Sequence, residues 1–327
     1  MSIAMQTTLD TVLAPLYWLL SLWSGAMDIL FRITGLGILE YAFMHRALLV
    51  GLCIGVMAPL IGTFLVHRQL ALIGDALAHT AFAGVAVGLF LNAVIDLGVT
   101  PYLTAVVVAV IAALFIELIA ETTDAYNDVS MAIVLSTGFA LGTTLISINA
   151  GGLTVSVDQY LFGNLSTVTQ QSAAILLVLF AAVVGVVGLT RNQLLYVTFD
   201  ETAAAVSGLP VVWYNRLMVM VTALVVVGAM QIMGVILVAA MLVVPVAGAT
   251  QVSGSFTESL VVSVLLAELS VVLGIAVAYY AGGVVVLCAV AIYAAAVALG
   301  RIQDSYGDDT SPEMGAITTT DDGSTGD

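Results

Sequence analysis

Long apolar stretches, broken by short polar turns, follow one another from about residue 47 to residue 300. Nine stand out: 47–66, 71–92, 102–120, 129–149, 170–190, 214–231, 233–250, 258–280 and 283–300. About 20 helical residues, rising 1.5 Å each, cross the roughly 30 Å hydrocarbon layer of a bilayer. Lipid offers the backbone no hydrogen bonds, so such runs must satisfy themselves as helices. Strands of a membrane barrel would alternate apolar and polar positions, and no stretch does. The pattern predicts an all-α, polytopic transmembrane helical bundle of about nine or ten spans. The tenth is residues 12–31 (VLAPLYWLLSLWSGAMDILF), an additional span or an interfacial helix, with Tyr17, Trp18 and Trp23 suited to the membrane surface. It has neither the basic leader nor the small-residue cleavage site of a signal peptide. The tightest connection is between the sixth and seventh runs, where only Ile232, Met233 and Gly234 are left for a turn.

Composition sharpens this picture. Apolar residues make up 61% of the chain and charged residues 8%, too few charges to cover a soluble protein of this size. The net charge of −15 is not spread evenly: seven of the 21 acids follow Arg301 in a Lys- and Arg-free tail. That tail has too little apolar surface to fold alone. The expected domains are an N-terminal extension (1–42), a transmembrane domain (43–301) and a disordered acidic tail (302–327). No basic patch supports nucleic-acid binding. Cys53 and Cys288 fall inside apolar runs and read as small core residues.

Arginine sets the expected orientation, because basic residues stay on the cytoplasmic side. If nine spans alternate, Arg68, Arg191, Arg216 and Arg301 share that side and the C-terminus is cytoplasmic, while Arg32 and Arg46 fall outside. Loop 191–215 is then internal and loop 150–169 external. Glycine pairs four residues apart (Gly51 and Gly55, Gly84 and Gly88, Gly138 and Gly142) predict closely packed helices.

Candidate chemistry lies in residues 70–88, LALIGDALAHTAFAGVAVG. Asp75 and His79 are four apart and share one face of a helix. An ionisable group inside a span costs about 2.5–3.5 kcal/mol on insertion scales, which points to a pathway or a binding site. Carboxylate with imidazole suits Zn²⁺, Mn²⁺ or Fe²⁺. The competing reading makes Asp75 the cap of a helix starting at Ala76, with His79 satisfied at the interface. A second stretch, FDETAAAVSGLP, predicts a short helix closed by Gly208 and stopped by Pro210, either a docking element or an ordinary connector.

Four segments in order resemble the permease family of zinc and manganese uptake ABC transporters, over roughly residues 43–300. They are Arg68 to Gly88, with its Gly-Asp-Ala-x-x-His core; Tyr160-Leu161-Phe162-Gly163-Asn164-Leu165; Asp200 to Pro210; and Gly234, Leu237, Leu242, Pro245 and Ala249. The resemblance implies a type II ABC-importer-like fold and a homodimeric permease carrying a divalent metal, Zn²⁺ or Mn²⁺ and possible also for Fe²⁺, with Asp75 and His79 as ligands of the ion in transit. It implies that Asp200, Glu201, Ala204, Gly208, Leu209 and Pro210 meet a separate ATPase subunit. Tyr160, Phe162, Gly163 and Asn164 would belong to an external face for a solute-binding protein. No permanently bound cofactor is expected, and the plasma membrane is the expected location. The chain has no Lys for a G-x-x-x-x-G-K-[ST] loop, so ATP hydrolysis belongs to the partner.

The turn Tyr279-Tyr280-Ala281-Gly282-Gly283 departs from the family pattern, and Glu268 is not explained by it. Two rivals remain at this stage. One is an ABC permease for a metal chelate such as a siderophore or cobalamin, which needs neither Asp75 nor His79. The other is a proton-coupled secondary transporter that uses the pair as a relay.

Overall fold

Residues 2–34, 40–95, 98–122, 127–148, 163, 168–277 and 282–308 are described by the computed structural model, and the regular elements among them are helices. In chain order these are α1 (Ser2–Thr34), α2 (Ala42–His67), α3 (Ile73–Ile95), α4 (Pro101–Thr122), α5 (Asn127–Ile148) and α6 (Gln170–Phe199). There follow α7 (Glu201–Val206), α8 (Val211–Met233), α9 (Val235–Thr250), α10 (Phe256–Val277) and α11 (Gly282–Asp308).

Helix α2 lies at the centre, packed against α6, α9 and α10, while α3 lies between α4 and α5 and touches α8 and α9. Apolar side chains line the interior and the exterior alike. On α4, Ala105, Ala109, Ala112 and Ala113 turn inward, while Leu103, Val107, Ile111, Leu114, Phe115 and Leu118 are exposed. A soluble helix would place charge on that outer face; here the outer face suits lipid.

Small residues set the helix separations, as expected. A Cβ on Gly84 would come within 2.7 Å of Ala105 Cα on α4, and one on Gly138 within 2.6 Å of Thr80 Cγ2 on α3. Gly51 and Gly55 face Val271 and Glu268 of α10. Thr63 and Ser263 join α2 to α10 through a hydroxyl pair at 3.2 Å, a form of interhelical hydrogen bond common where lipid supplies no competing water. Leu242 of α9 is held between glycines of two other helices, Gly62 of α2 and Gly74 of α3.

Fewer helices among the described residues reach the length and hydropathy of a span than the nine or ten runs expected. Among the described residues seven helices are long and apolar enough to cross a membrane: α2, α3, α4, α5, α6, α8 and α10. The run at 233–250 yields only the 16-residue α9, about 24 Å long and short of the hydrocarbon thickness. Gly234, at φ +84°, separates α9 from α8, its N–H donating to Met230 O at 2.8 Å. The last run gives a shorter apolar segment, Gly283–Ala298, within α11. Residues 12–31 belong to α1, which packs on α2 and α6. There Trp23 Nε1 donates to His45 O at 2.8 Å, and Trp18, Leu19, Leu22 and Ile29 point outward. Helix α11 continues to Asp308, and residues 309–327 of the expected acidic tail lie outside the described residues.

Candidate functional site

Helix α3 begins at Ile73, earlier than a cap at Asp75 would require, so the carboxylate sits within the first helical turn. There it faces the positive end of the helix dipole, where a negative charge is favoured. One turn on, His79 Nε2 lies 3.4 Å from Asp75 Oδ1, and both side chains retain partial exposure. The His79 ring meets Phe139 of α5 edge to face, with centroids 5.4 Å apart. His79 Nδ1 is buried and has no hydrogen-bond partner. A metal-bound imidazole ordinarily fixes its tautomer by donating from the second nitrogen; within a single copy of this chain that bond is unmade.

One carboxylate and one imidazole make half of a four-coordinate shell. Among the described residues no group of three or more His, Cys, Asp or Glu side chains converges. The pair by itself offers two of the four donors that such a shell takes. The outer face of α5 carries a groove lined by Ser136, Thr137, Ala140, Leu141, Thr144 and Leu145. Thr137, Thr143 and Ser147 of α5 donate to carbonyls of their own helix four residues back. The run 129–149 held that signal in its spaced hydroxyls.

At the other predicted region, Asp200 caps α7, its Oδ1 accepting from Ala203 N at 2.8 Å. Leu209 N returns to Ala204 O at 3.1 Å, and Gly208 takes φ +87°, which glycine adopts at little cost. Ala204 is buried and anchors the helix, whereas Asp200, Glu201, Gly208 and Pro210 are exposed and Leu209 is half-buried. Pro210 stands at the N-cap of α8. Around α7, Tyr196, Phe199, Val206, Val212 and Trp213 expose apolar surface.

Arg68 at the end of α2 donates to Glu201 Oε1 of α7 and, at 2.8 Å, to Asn215 Oδ1 of α8. Burial pulls the Arg68 guanidinium pKa down from its ordinary value, while Glu201 and Glu117 push it back up. Nearby, Arg216 of α8 pairs with Glu121 of α4 at 3.1 Å. Neither pairing was foreseen, because nothing local links residues so far apart in sequence.

Of the external-loop candidates, Tyr160, Phe162 and Asn164 lie outside the described residues. Gly163, at φ +66°, packs onto the α8–α9 junction, where a Cβ would come within 2.6 Å of Gly234 N. Glu268 turns toward Gly55 of α2, both its carboxylate oxygens buried and without a hydrogen-bond partner.

Residues 40–300 match the ABC 3 transport family. The chain belongs to that family. As a member it is a multi-pass membrane permease of an ABC transport system, the class that the four sequence segments resemble. It is 31% identical over 268 residues to a probable metal transport system membrane protein of Treponema pallidum, covering 81% of this chain and 98% of the relative. It is 30% identical over 263 residues to the manganese transport system membrane protein MntC of Listeria monocytogenes, covering 79% and 90%. The solved structure of PsaBC from Streptococcus pneumoniae in complex with Fab superposes with a TM-score of 0.70 at 30% identity, over 80% of this chain and 92% of that one.

Proposed function

We propose that this permease carries a divalent transition-metal ion into the cell, Mn²⁺ first and Zn²⁺ or Fe²⁺ by the same ligand chemistry. The observation that carries the reading is the Asp75–His79 pair in the first turns of α3. Relatives named for manganese and metal transport support the choice of cargo. Two copies of the chain would bring two carboxylates and two imidazoles to one ion, completing a four-ligand shell. Phe139 of α5, whose ring meets His79, would then lie beside the path between the copies.

A separate ATPase subunit would bind the apolar surface around α7, and α7 and the C-terminus would then lie in the cytoplasm. A solute-binding protein would deliver the ion to the opposite face, at the end of the bundle where Gly163 meets the α8–α9 junction. The domain limits proposed are an N-terminal extension of 1–42, a permease domain of 43–301 and an acidic tail of 302–327.

Radiolabelled Mn²⁺ and Zn²⁺ uptake tests the reading in cells lacking their own importer, with ATPase and binding protein co-expressed. Uptake should require the ATPase and disappear in Asp75→Asn and in His79→Ala. Uptake that survives both substitutions would remove the pair from the path.

A further inference from the structure

We propose that Arg68, supported by His67, is a positioning residue that ties the coupling helix α7 to the start of α3, so that movement of α7 reaches Asp75 and His79. The proposal rests on the proposed function for its cargo and for α7 as the ATPase contact, and on the geometry for the tie.

Arg68 closes α2 and precedes the first residue of α3 by a single tight turn. Its side chain retains only 12% exposure. The guanidinium reaches two elements at once, Glu201 at the head of α7 and Asn215 in the first turns of α8. Asn215 Nδ2 donates to the same Glu201 oxygen at 3.3 Å, closing a three-residue ring. A planar fork with several donors can hold two acceptors together, which an ammonium point charge does less well. Glu117 and Glu121 of α4 line the same cavity as Arg68, Glu201 and Asn215, and Arg216 engages Glu121. The other charges facing the ring are thus partly balanced within that wall.

His67 holds the opposite side of Asp200. Its Nδ1 lies 2.7 Å from Thr63 O, which orients the ring. That ring meets Phe199 at 6.0 Å and Phe256 at 5.1 Å, and the two phenylalanines meet each other at 5.7 Å. Residues 67 and 68 therefore grip residues 199 and 201, one on each side of the α7 cap.

The link onward to α3 is stiff. Gln69 N donates to Val66 O at 3.0 Å, Leu70 N to Leu65 O at 2.8 Å and Ile73 N to Leu70 O at 3.1 Å. Gln69 itself has φ +60°, a left-handed conformation that a non-glycine residue keeps only when its surroundings hold it there. A six-residue helix has almost no independent stability. Helix α7 therefore keeps its place through these contacts, and its displacement is passed to the turn and on to α3 instead of being lost in a slack loop.

The test uses the complete transporter with its ATPase in proteoliposomes. The chain carries Leu72→Cys at the exposed start of α3, with Cys53 and Cys288 replaced by alanine. Maleimide labelling at position 72 is timed with and without ATP, alongside ATP hydrolysis and Mn²⁺ uptake. In the intact complex ATP should change the labelling rate. Arg68→Gln should erase that change and lower uptake by at least about fivefold, the lower end of ordinary coupling between sites, while the bound ATPase still turns over. Arg68→Lys, which keeps the charge and so guards against misfolding, should lose most of the response as well. Adding Glu201→Ala to Arg68→Gln should cost no further uptake beyond the single change.

A labelling response that persists in Arg68→Gln, or no response in the intact complex, overturns the tie. An intact complex that responds to ATP but moves neither Mn²⁺ nor Zn²⁺ overturns the cargo reading and leaves the tie standing.

Discussion

His79 Nε2 lies 3.4 Å from Asp75 Oδ1, one turn along α3, while its Nδ1 is buried and unpartnered. If the pair holds the ion as proposed, its two side chains are already side by side. A metal can bind only when the imidazole is neutral and the carboxylate ionised, so protons and metal compete. Acidification should therefore raise the apparent KM for Mn²⁺, by up to roughly tenfold per pH unit for each proton displaced. Uptake measured across mildly acidic to neutral pH, at fixed ATP hydrolysis, checks this. A KM indifferent to pH would remove the imidazole from the shell.

Asp200 should act through its cap more than through its charge. Its carboxylate accepts the Ala203 N–H at 2.8 Å, and losing such a cap costs about 0.5–2 kcal/mol. Asp200→Asn should keep co-purification of the ATPase, whereas Asp200→Ala should weaken it several-fold. Equal behaviour of the two variants would assign the effect to charge.

Glu268 and Gly55 should be energetically coupled across α2 and α10. A Cβ on Gly55 would stand 2.8 Å from Glu268 Oε1, so Gly55→Ala should destabilise the wild-type chain and do less harm beside Glu268→Ala. Contacting residues show interaction terms of about 0.5–3 kcal/mol in such cycles. Glu268→Met, which removes the buried unpartnered carboxylate at similar length, should leave thermal stability unchanged or raised. A marked fall in Tm for Glu268→Met would show that the carboxylate is satisfied in the working protein.

Glycines at helix crossings and glycines facing outward should respond oppositely to added volume. Gly84→Val forces atoms onto Ala105 and Thr104 backbone, and overpacking of this kind costs about 1–3 kcal/mol. A Cβ at Gly185 would meet nothing within 4 Å, so Gly185→Ala should hold or gain stability through helix propensity. Thermal unfolding in the same lipid compares the two.

The bundle was legible in the sequence because lipid imposes one rule on every run, and hydropathy alone reports it. What hydropathy misses is length measured against neighbours: the run ending near Thr250 gave a helix too short to span, since Gly234 breaks it from α8. Asp75 and His79 could be paired from their spacing, and the short helix after Asp200 from Gly208 and Pro210. The competing cap reading of Asp75 fails on one detail, the start of α3 at Ile73, which the surrounding Leu and Ile residues do not signal. Arg68 with Glu201, and His67 with Phe199, are contacts across about 130 residues of chain. They depend on how α2 and α6 end at the same level, which no local pattern encodes. Carboxylate with imidazole suits Zn²⁺, Mn²⁺ and Fe²⁺ alike, so the sequence could not rank them; manganese is the ion for which the Listeria relative is named.

Leu242 is one of the residues that first suggested the family, and its place between Gly62 and Gly74 gives that motif a mechanical meaning. Because α9 is too short for the bilayer to set its depth, that seat does so instead. Leu242 works as a detent: its backbone carbonyl already fills the space a Cβ on Gly62 would take, and its side chain fills the space beside Gly74, so sliding α9 along α2 and α3 would pull both out of their seats. A membrane of different thickness would shift the outer helices, while α9 and the first turns of α3 keep their mutual register. The start of α3, with Asp75 and His79 on it, is thereby indexed through Gly74 to the protein's own frame.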